Sequence, residues 1–237
     1  VNLVGSKTLT ATSALLTATS SAFTVSHAAA ASLAFTTQPS AVVAGVAIAP
    51  SVKVTATDAF GNVVPGASVA LTMTGTGTLT GGAAVITDAT GVATYASLSV
   101  NLVGSKTLTA TSALLTATSS AFTVSPAAAA SLAFTTQPSA VVAGVAIAPS
   151  VKVKASDAFG NVVPGASIAL TMTGTGTLTG GAAVVTDATG TATYASLSVN
   201  LVGSKTLTAT SGLLTVTSTA FTVSHAEAAS LAFTAQP

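Results

Sequence analysis

An all-β fold of tandem β-sandwiches is what this sequence predicts, on three observations. Apolar residues recur at every second position in short runs, the period of a strand with one buried face. Turn-forming residues, chiefly Gly, Asp, Asn and Pro, separate those runs. The heptad Val-Asn-Leu-Val-Gly-Ser-Lys begins at Val1, recurs at Val100 and returns at Val199, a period of 99 residues in a chain of 237. No stretch of useful length carries a helical period, and the seven or eight short strands that each repeat offers suit two packed sheets.

The elements of the first full repeat follow in order. Leu33 and Phe35 open a strand that Gln38-Pro39 stops, since proline has no N–H to give a ladder. Val52, Val54 and Ala56 alternate with Lys53, Thr55 and Thr57, which puts Lys53 on the face opposite the valines. Asp58-Ala59-Phe60-Gly61-Asn62 reads as a turn, in which the Asp side chain caps backbone amides and Gly supplies a positive φ. Val69, Leu71 and Met73 form the next inward set and run into the Thr/Gly ladder of 74–80. Strands at 83–87 and 92–100 flank Asp88-Ala89-Thr90-Gly91, a hairpin signal of the same chemistry. Strands at 106–112 and 115–124 close the repeat, with Phe122 and Val124 inward. The predicted core is Phe35, Val54, Leu71, Leu98 and Phe122, with their copies one period on.

A boundary at the Ala-rich seam before Ser32 divides the chain into the end of one repeat (1–27), full repeats at 28–126 and 127–225, and the start of another (226–237). On this division the chain reads as a window on a longer tandem array, in which no signal peptide or anchor is to be expected. The full copies differ mildly; among the differences, Thr55 becomes Lys154, Thr57 becomes Ser156, Val69 becomes Ile168, Ile86 becomes Val185 and Val92 becomes Thr191. The seam position reads His27, Pro126 and His225 in turn, each followed by alanines. A linker this short and apolar, with no Gly-Ser or charged spacer, predicts domains docked end to end with limited bending.

Composition narrows the function classes. Charged residues make up 5% of the chain, against about 25% in an ordinary globular protein. Six lysines, no arginine and five acids leave a net charge of +1, too weak a field for a nucleic-acid partner. There is no cysteine, hence no disulfide, thiolate zinc site or iron–sulfur cluster. The longest apolar stretch, 41–50, carries Gly45 inside it and falls well short of the ~20 residues of a spanning helix. An enzyme is close to excluded by the same composition, and no cofactor is expected.

Four segments carry a family resemblance. Ser-Leu-Ala-Phe-Thr-Thr-Gln-Pro-Ser (32–40), Val-Thr-Ala-Thr-Asp-Ala-Phe-Gly-Asn-Val-Val-Pro-Gly (54–66), Thr-Asp-Ala-Thr-Gly-Val-Ala-Thr-Tyr (87–95) and Thr-Leu-Thr-Ala-Thr-Ser (107–112) resemble the tandem bacterial Ig-like repeats of large surface proteins, of the invasin/intimin type. The resemblance covers the whole chain and implies immunoglobulin-like sandwiches in an extracellular stalk, adhesin or surface polymer. It also implies that ligand binding belongs to specialised terminal domains.

Candidate sites are few. Asp58, Gly61 and Asn62, their copies Asp157, Gly160 and Asn161, and the aspartates Asp88 and Asp187 suggest calcium loops. A calcium ion takes six to eight oxygens, usually from several carboxylates, and each loop offers one, so turn capping is the stronger reading. Lys53 and Lys152 raise the question of a lysine isopeptide cross-link, but their alternation points them outward and neither full repeat contains a Glu. An outward lysine lacks the desolvation that would free its amine. His27 and His225 stand singly at seams, without convergent metal ligands. The abundant serines and threonines have no His/Asp partner to activate one as a nucleophile. The Thr/Gly run at 74–80 lacks the lysine and helix of a phosphate loop. Catalytic, cofactor and metal residues are therefore all expected to be none, and with no Trp and only Tyr95 and Tyr194 as tyrosines there is no stacking platform for sugars.

The functional expectation is a structural extracellular protein at the cell surface, a rod of tandem sandwiches self-assembling into a filament, sheath or layer. Its partners would be further copies of itself, lateral and end to end, through neutral Thr, Ser and Ala faces where a soluble sandwich would carry charge. The alternative is the solitary stalk of an adhesin.

Overall fold

The structure, a computed structural model, describes residues 1–230, 232, 234 and 235. Among these residues the regular secondary structure is entirely β, and the chain separates into two compact units, Val1–Ser125 and Pro126–Pro237.

Unit 1 opens with four short strands, β1 (Gly5–Lys7), β2 (Thr10–Ser13), β3 (Leu16–Thr19) and β4 (Phe23–Val25). β1 pairs with β4 and β2 with β3, both antiparallel. Eleven strands of a sandwich follow: β5 (Ser32–Thr37), β6 (Val42–Val43), β7 (Val52–Thr57), β8 (Ser68–Thr74), β9 (Leu79–Thr80), β10 (Val85–Ile86), β11 (Val92–Tyr95), β12 (Ser99–Val100), β13 (Gly104–Ser112), β14 (Leu115–Thr118) and β15 (Phe122–Ser125). One sheet has the order β11-β7-β5. The facing sheet runs β10-β8-β13-β15-β6, with β14 also on β13, and β9 pairs with β12 as a small separate ribbon.

The period-2 pattern explains the layering. Val52, Val54 and Ala56 of β7 and Leu108 and Ala110 of β13 are fully buried between the sheets, while Lys53 points out. Of the predicted core, Val54, Leu71, Leu98 and Phe122 are buried, and Phe35 is half-buried against them. Full burial of such a side chain is worth about 1.5–3 kcal/mol, and this repeated set is what holds each sandwich together.

Three predicted strands differ from the observed ones. The stretch 92–100 is two strands, because Leu98 turns into the core between β11 on β7 and β12 on β9. In 83–87 only Val85 and Ile86 pair, against Val69 and Ser68 of β8. The stretch 115–124 breaks after β14, where Ser119 N–H donates to Leu108 C=O at 2.8 Å and the Ser119 hydroxyl accepts Leu108 N–H at 2.9 Å. Both polar groups of Leu108 are thereby satisfied at the break, and the chain re-enters the sheet as β15.

At Gln38-Pro39 the chain changes sheets rather than simply ending a strand. β5 lies on β7, whereas β6 lies parallel to β15, with Val42 opposite Val124. Buried Pro39 has no N–H to leave unsatisfied at the crossing, and the Gln38 side-chain oxygen accepts Ser120 N–H at 2.9 Å.

Unit 2 repeats this arrangement from Ser131–Thr136 to Phe221–Ser224, with the same strand order and registers. The strand expected within 226–237 rests on Leu231 and Phe233, which lie outside the described residues.

Candidate functional site

The turn that follows β7 gathers four N–H groups around one carboxylate, as does its copy in unit 2. Asp58 ends the apolar alternation of its strand and is itself only 4% exposed. Its Oδ1 accepts Phe60 N–H and Asn62 N–H, each at 2.9 Å. Its Oδ2 accepts Ala28 N–H at 3.0 Å and the Asn62 side-chain amide at 2.9 Å. Gly61 closes the turn at φ +83°, a conformation that costs a side chain-bearing residue about 1–2 kcal/mol. Burial works against the charged form of Asp58, but the Asn62 amide and the N–H groups of Ala28, Asn62 and Phe60 outweigh it and bring the carboxyl down to about 2.

Asn62 faces two ways. Besides bonding Asp58, its Nδ2 donates to Asn2 C=O at 2.8 Å, and its Oδ1 accepts Val4 N–H at 3.2 Å. In unit 2, Asp157 is capped in the same manner by Phe159, Asn161 and Ala127, and its carboxyl is likewise lowered against the effect of burial.

Asp88 and Asp187 are exposed hairpin caps. Asp88 Oδ1 accepts the Thr90 hydroxyl at 2.6 Å, Thr90 N–H at 2.8 Å and Val92 N–H at 3.1 Å. The Thr90 hydroxyl is the main cause of its lowered pKa, with exposed Lys53 adding a small attraction. All the predicted aspartates thus serve turns, and each oxygen of Asp58 already accepts two N–H groups. Among the described residues no three His, Cys, Asp or Glu side chains are grouped to hold a metal ion.

Lys53 and Lys152 are exposed, where the alternation placed them. The lysines that sequence reasoning missed are Lys106 and Lys205, each 2% exposed. Lys106 Nζ donates to the Thr76 hydroxyl at 3.2 Å and Val103 C=O at 3.1 Å, and its stem lies against Gly75, where an added Cβ would come 3.0 Å from the lysine Cδ. These partners are neutral, and through them the ammonium ties the 74–80 ladder to the chain leading into β13. His27 is exposed, its Nδ1 donating to Ala28 C=O at 2.9 Å, and His225 is exposed in unit 2.

Tyr95, noted from sequence only as one of two tyrosines, is a core residue. Its Oη donates to Val69 C=O at 2.6 Å and so links β11 in one sheet to β8 in the other. Burial pushes its phenol up to about 12.

No family model matches the sequence, and no curated protein matches it. Among solved structures the fold is similar to that of FdeC, described as a broadly conserved Escherichia coli adhesin, at 18% identity over 86% of this chain and 68% of that one, with a TM-score of 0.49. It is also similar to invasin, described as a bacterial integrin-binding protein, at 24% identity over 79% of this chain and 38% of that one, with a TM-score of 0.38. Domains 1–6 of the surface layer protein SbsC align at 16% identity over 93% of this chain and 32% of theirs, with a TM-score of 0.40. The likeness is one of fold. The proteins concerned are adhesins and a surface-layer protein, and this chain spans about a third of the lengths compared for the last two.

Proposed function

We propose that the chain is a structural, non-enzymatic part of an extracellular cell-surface protein, made of immunoglobulin-like repeats at 28–126 and 127–225 that associate with further copies into a filament, sheath or layer. The observation that carries this reading is a neutral outer surface bearing the same large apolar side chains at every period. Leu15, Leu114 and Leu213, at successive hairpin tips, are essentially fully exposed. Val46 and Val145, Phe60 and Phe159, and Ile86 and Val185 are also exposed in matched pairs. Beside Leu114 runs an open apolar groove lined by Ala29, Ala30, Pro65 and Ala67, and unit 2 repeats it beside Leu213 with Ala129, Pro164 and Ala166.

Scattered apolar side chains on a surface are ordinary, but periodic ones on a face with little charge form a pattern that copies of the same chain can match step by step. Contacts between identical modules that do not close into a ring propagate as open assemblies. The polar contacts in the loops go to capping and tying turns, which supports a mechanical role for them.

Electron microscopy of the native material, beside the purified chain at increasing concentration, tests the proposal. Ordered fibres or sheets whose spacing matches a repeat or a small group of repeats support it. Isolated particles at every concentration overturn self-assembly and leave the stalk of an adhesin as the reading.

A further inference from the structure

We infer that the turn at 58–62 is the receiving half of a joint between repeats, in which the Asn62 side chain clasps the main chain of a preceding repeat and Asp58 is the residue that positions it. The inference rests on the repeat boundaries proposed above and goes beyond them by naming the contact surface and what it recognises.

The segment seated on Asn62 has the sequence Val-Asn-Leu-Val, which returns at 100–103 and 199–202 just before the long closing strand of each repeat. It is therefore the end of one repeat that meets the turn of the next. Both bonds go to its backbone: Asn62 Nδ2 to Asn2 C=O at 2.8 Å, and Val4 N–H to Asn62 Oδ1 at 3.2 Å. A carboxamide offers one donor edge and one acceptor edge, and here it bridges the chain as a neighbouring strand would. The pairing is independent of the side chains of residues 2–4, so the joint accepts any repeat that presents this backbone geometry.

Asp58 sets the amide's orientation. Its Oδ2 accepts a hydrogen bond from Asn62 Nδ2, which fixes the NH2 and oxygen ends of the carboxamide, and the same oxygen accepts Ala28 N–H in the linker. One buried carboxylate thus ties the linker, the turn and the clasp to the end of β7. In unit 2, the presenting loop is itself braced: Asn200 Oδ1 accepts Thr177 N–H at 2.7 Å, and Lys205 Nζ donates to Val202 C=O at 3.1 Å. The buried lysine accordingly belongs to the same device, as a strut behind the presented loop.

Site-resolved amide exchange by NMR on the whole chain tests the joint. Asn62→Ala is expected to speed exchange of Val4 N–H by roughly fivefold or more, the value of one net hydrogen bond, while Leu108 N–H in the core stays unchanged. Leu3→Ser is expected to leave Val4 protection as it is. Unchanged Val4 exchange in a folded Asn62→Ala chain overturns the inference. Should that variant lose Leu108 protection, Val4→Pro decides: the Asn62 side-chain amide resonances move if the contact exists, and stay in place if it does not. These readouts concern the joint alone, and they are distinct from whether fibres form.

Discussion

Asp58 accepts four N–H groups with two oxygens, and that saturation has a pH signature. A carboxyl near 3.9 in the unfolded chain stands at about 2 in the folded one. The folded state therefore binds fewer protons, and the stabilisation is fully present above about pH 4 and lost as pH falls toward 2. Asp88, Asp157 and Asp187 are lowered too and act in the same direction. Thermal melts are expected to be flat from neutrality to about pH 5 and to fall below about pH 4, with Asp58→Asn reducing the slope. The capping role of Asp58 was legible in the sequence, since Asp-x-x-Gly-Asn is turn chemistry. The second role of Asn62 was not, because its partners lie some 60 positions away. The burial of Lys106 could have been read: it shares parity with Leu108 and Ala110, and extending that alternation one step back places it inward.

At the level of elements, the closing hairpin between β13 and β14 carries a measurable strain. Ala113 sits at its tip with φ +50°, as Ala14 does at +48° in the corresponding hairpin of β2 and β3. The third copy has Gly212 there, at φ +57°. The left-handed conformation costs alanine about 1–2 kcal/mol, partly offset by the larger unfolded-state entropy of glycine, about 0.4–1 kcal/mol. Ala113→Gly is expected to raise the stability of unit 1 by about 0.5–1 kcal/mol in urea unfolding; a loss of stability would mean that the alanine methyl contributes packing. The existence and order of the main strands followed from alternation and turn residues. Their interruptions did not, because the Ser119 hydrogen bonds to Leu108 across the hairpin and the inward step of Leu98 are tertiary solutions that a period-2 pattern passes over.

For the whole molecule, low charge is the governing property. Six lysines and five acids in 237 residues leave few pairs for salt to screen, and the buried lysines are bound to neutral groups. The melting temperature is expected to shift by less than about 2 °C between ~10 mM and ~300 mM NaCl, a range over which the Debye length shrinks from about 30 to 6 Å. A larger shift would point to an electrostatic contribution beyond the weak attractions of Lys53 for Asp88 and of Lys152 for Asp187.

The crossing of the chain between sheets at Gln38-Pro39 has a mechanical consequence. It sets β6, near the entrance of the sandwich, parallel to β15 at its exit, with Val42 opposite Val124 and Ala44 N–H donating to Ser125 C=O at 2.9 Å. Tension applied through the two ends of such a repeat pulls these neighbours in opposite directions along their length. Their hydrogen bonds are loaded sideways and together, rather than opened one after another like a zipper. A surface filament built from this sandwich would carry load at the cross-over, and rupture there would expose the core that the two sheets share.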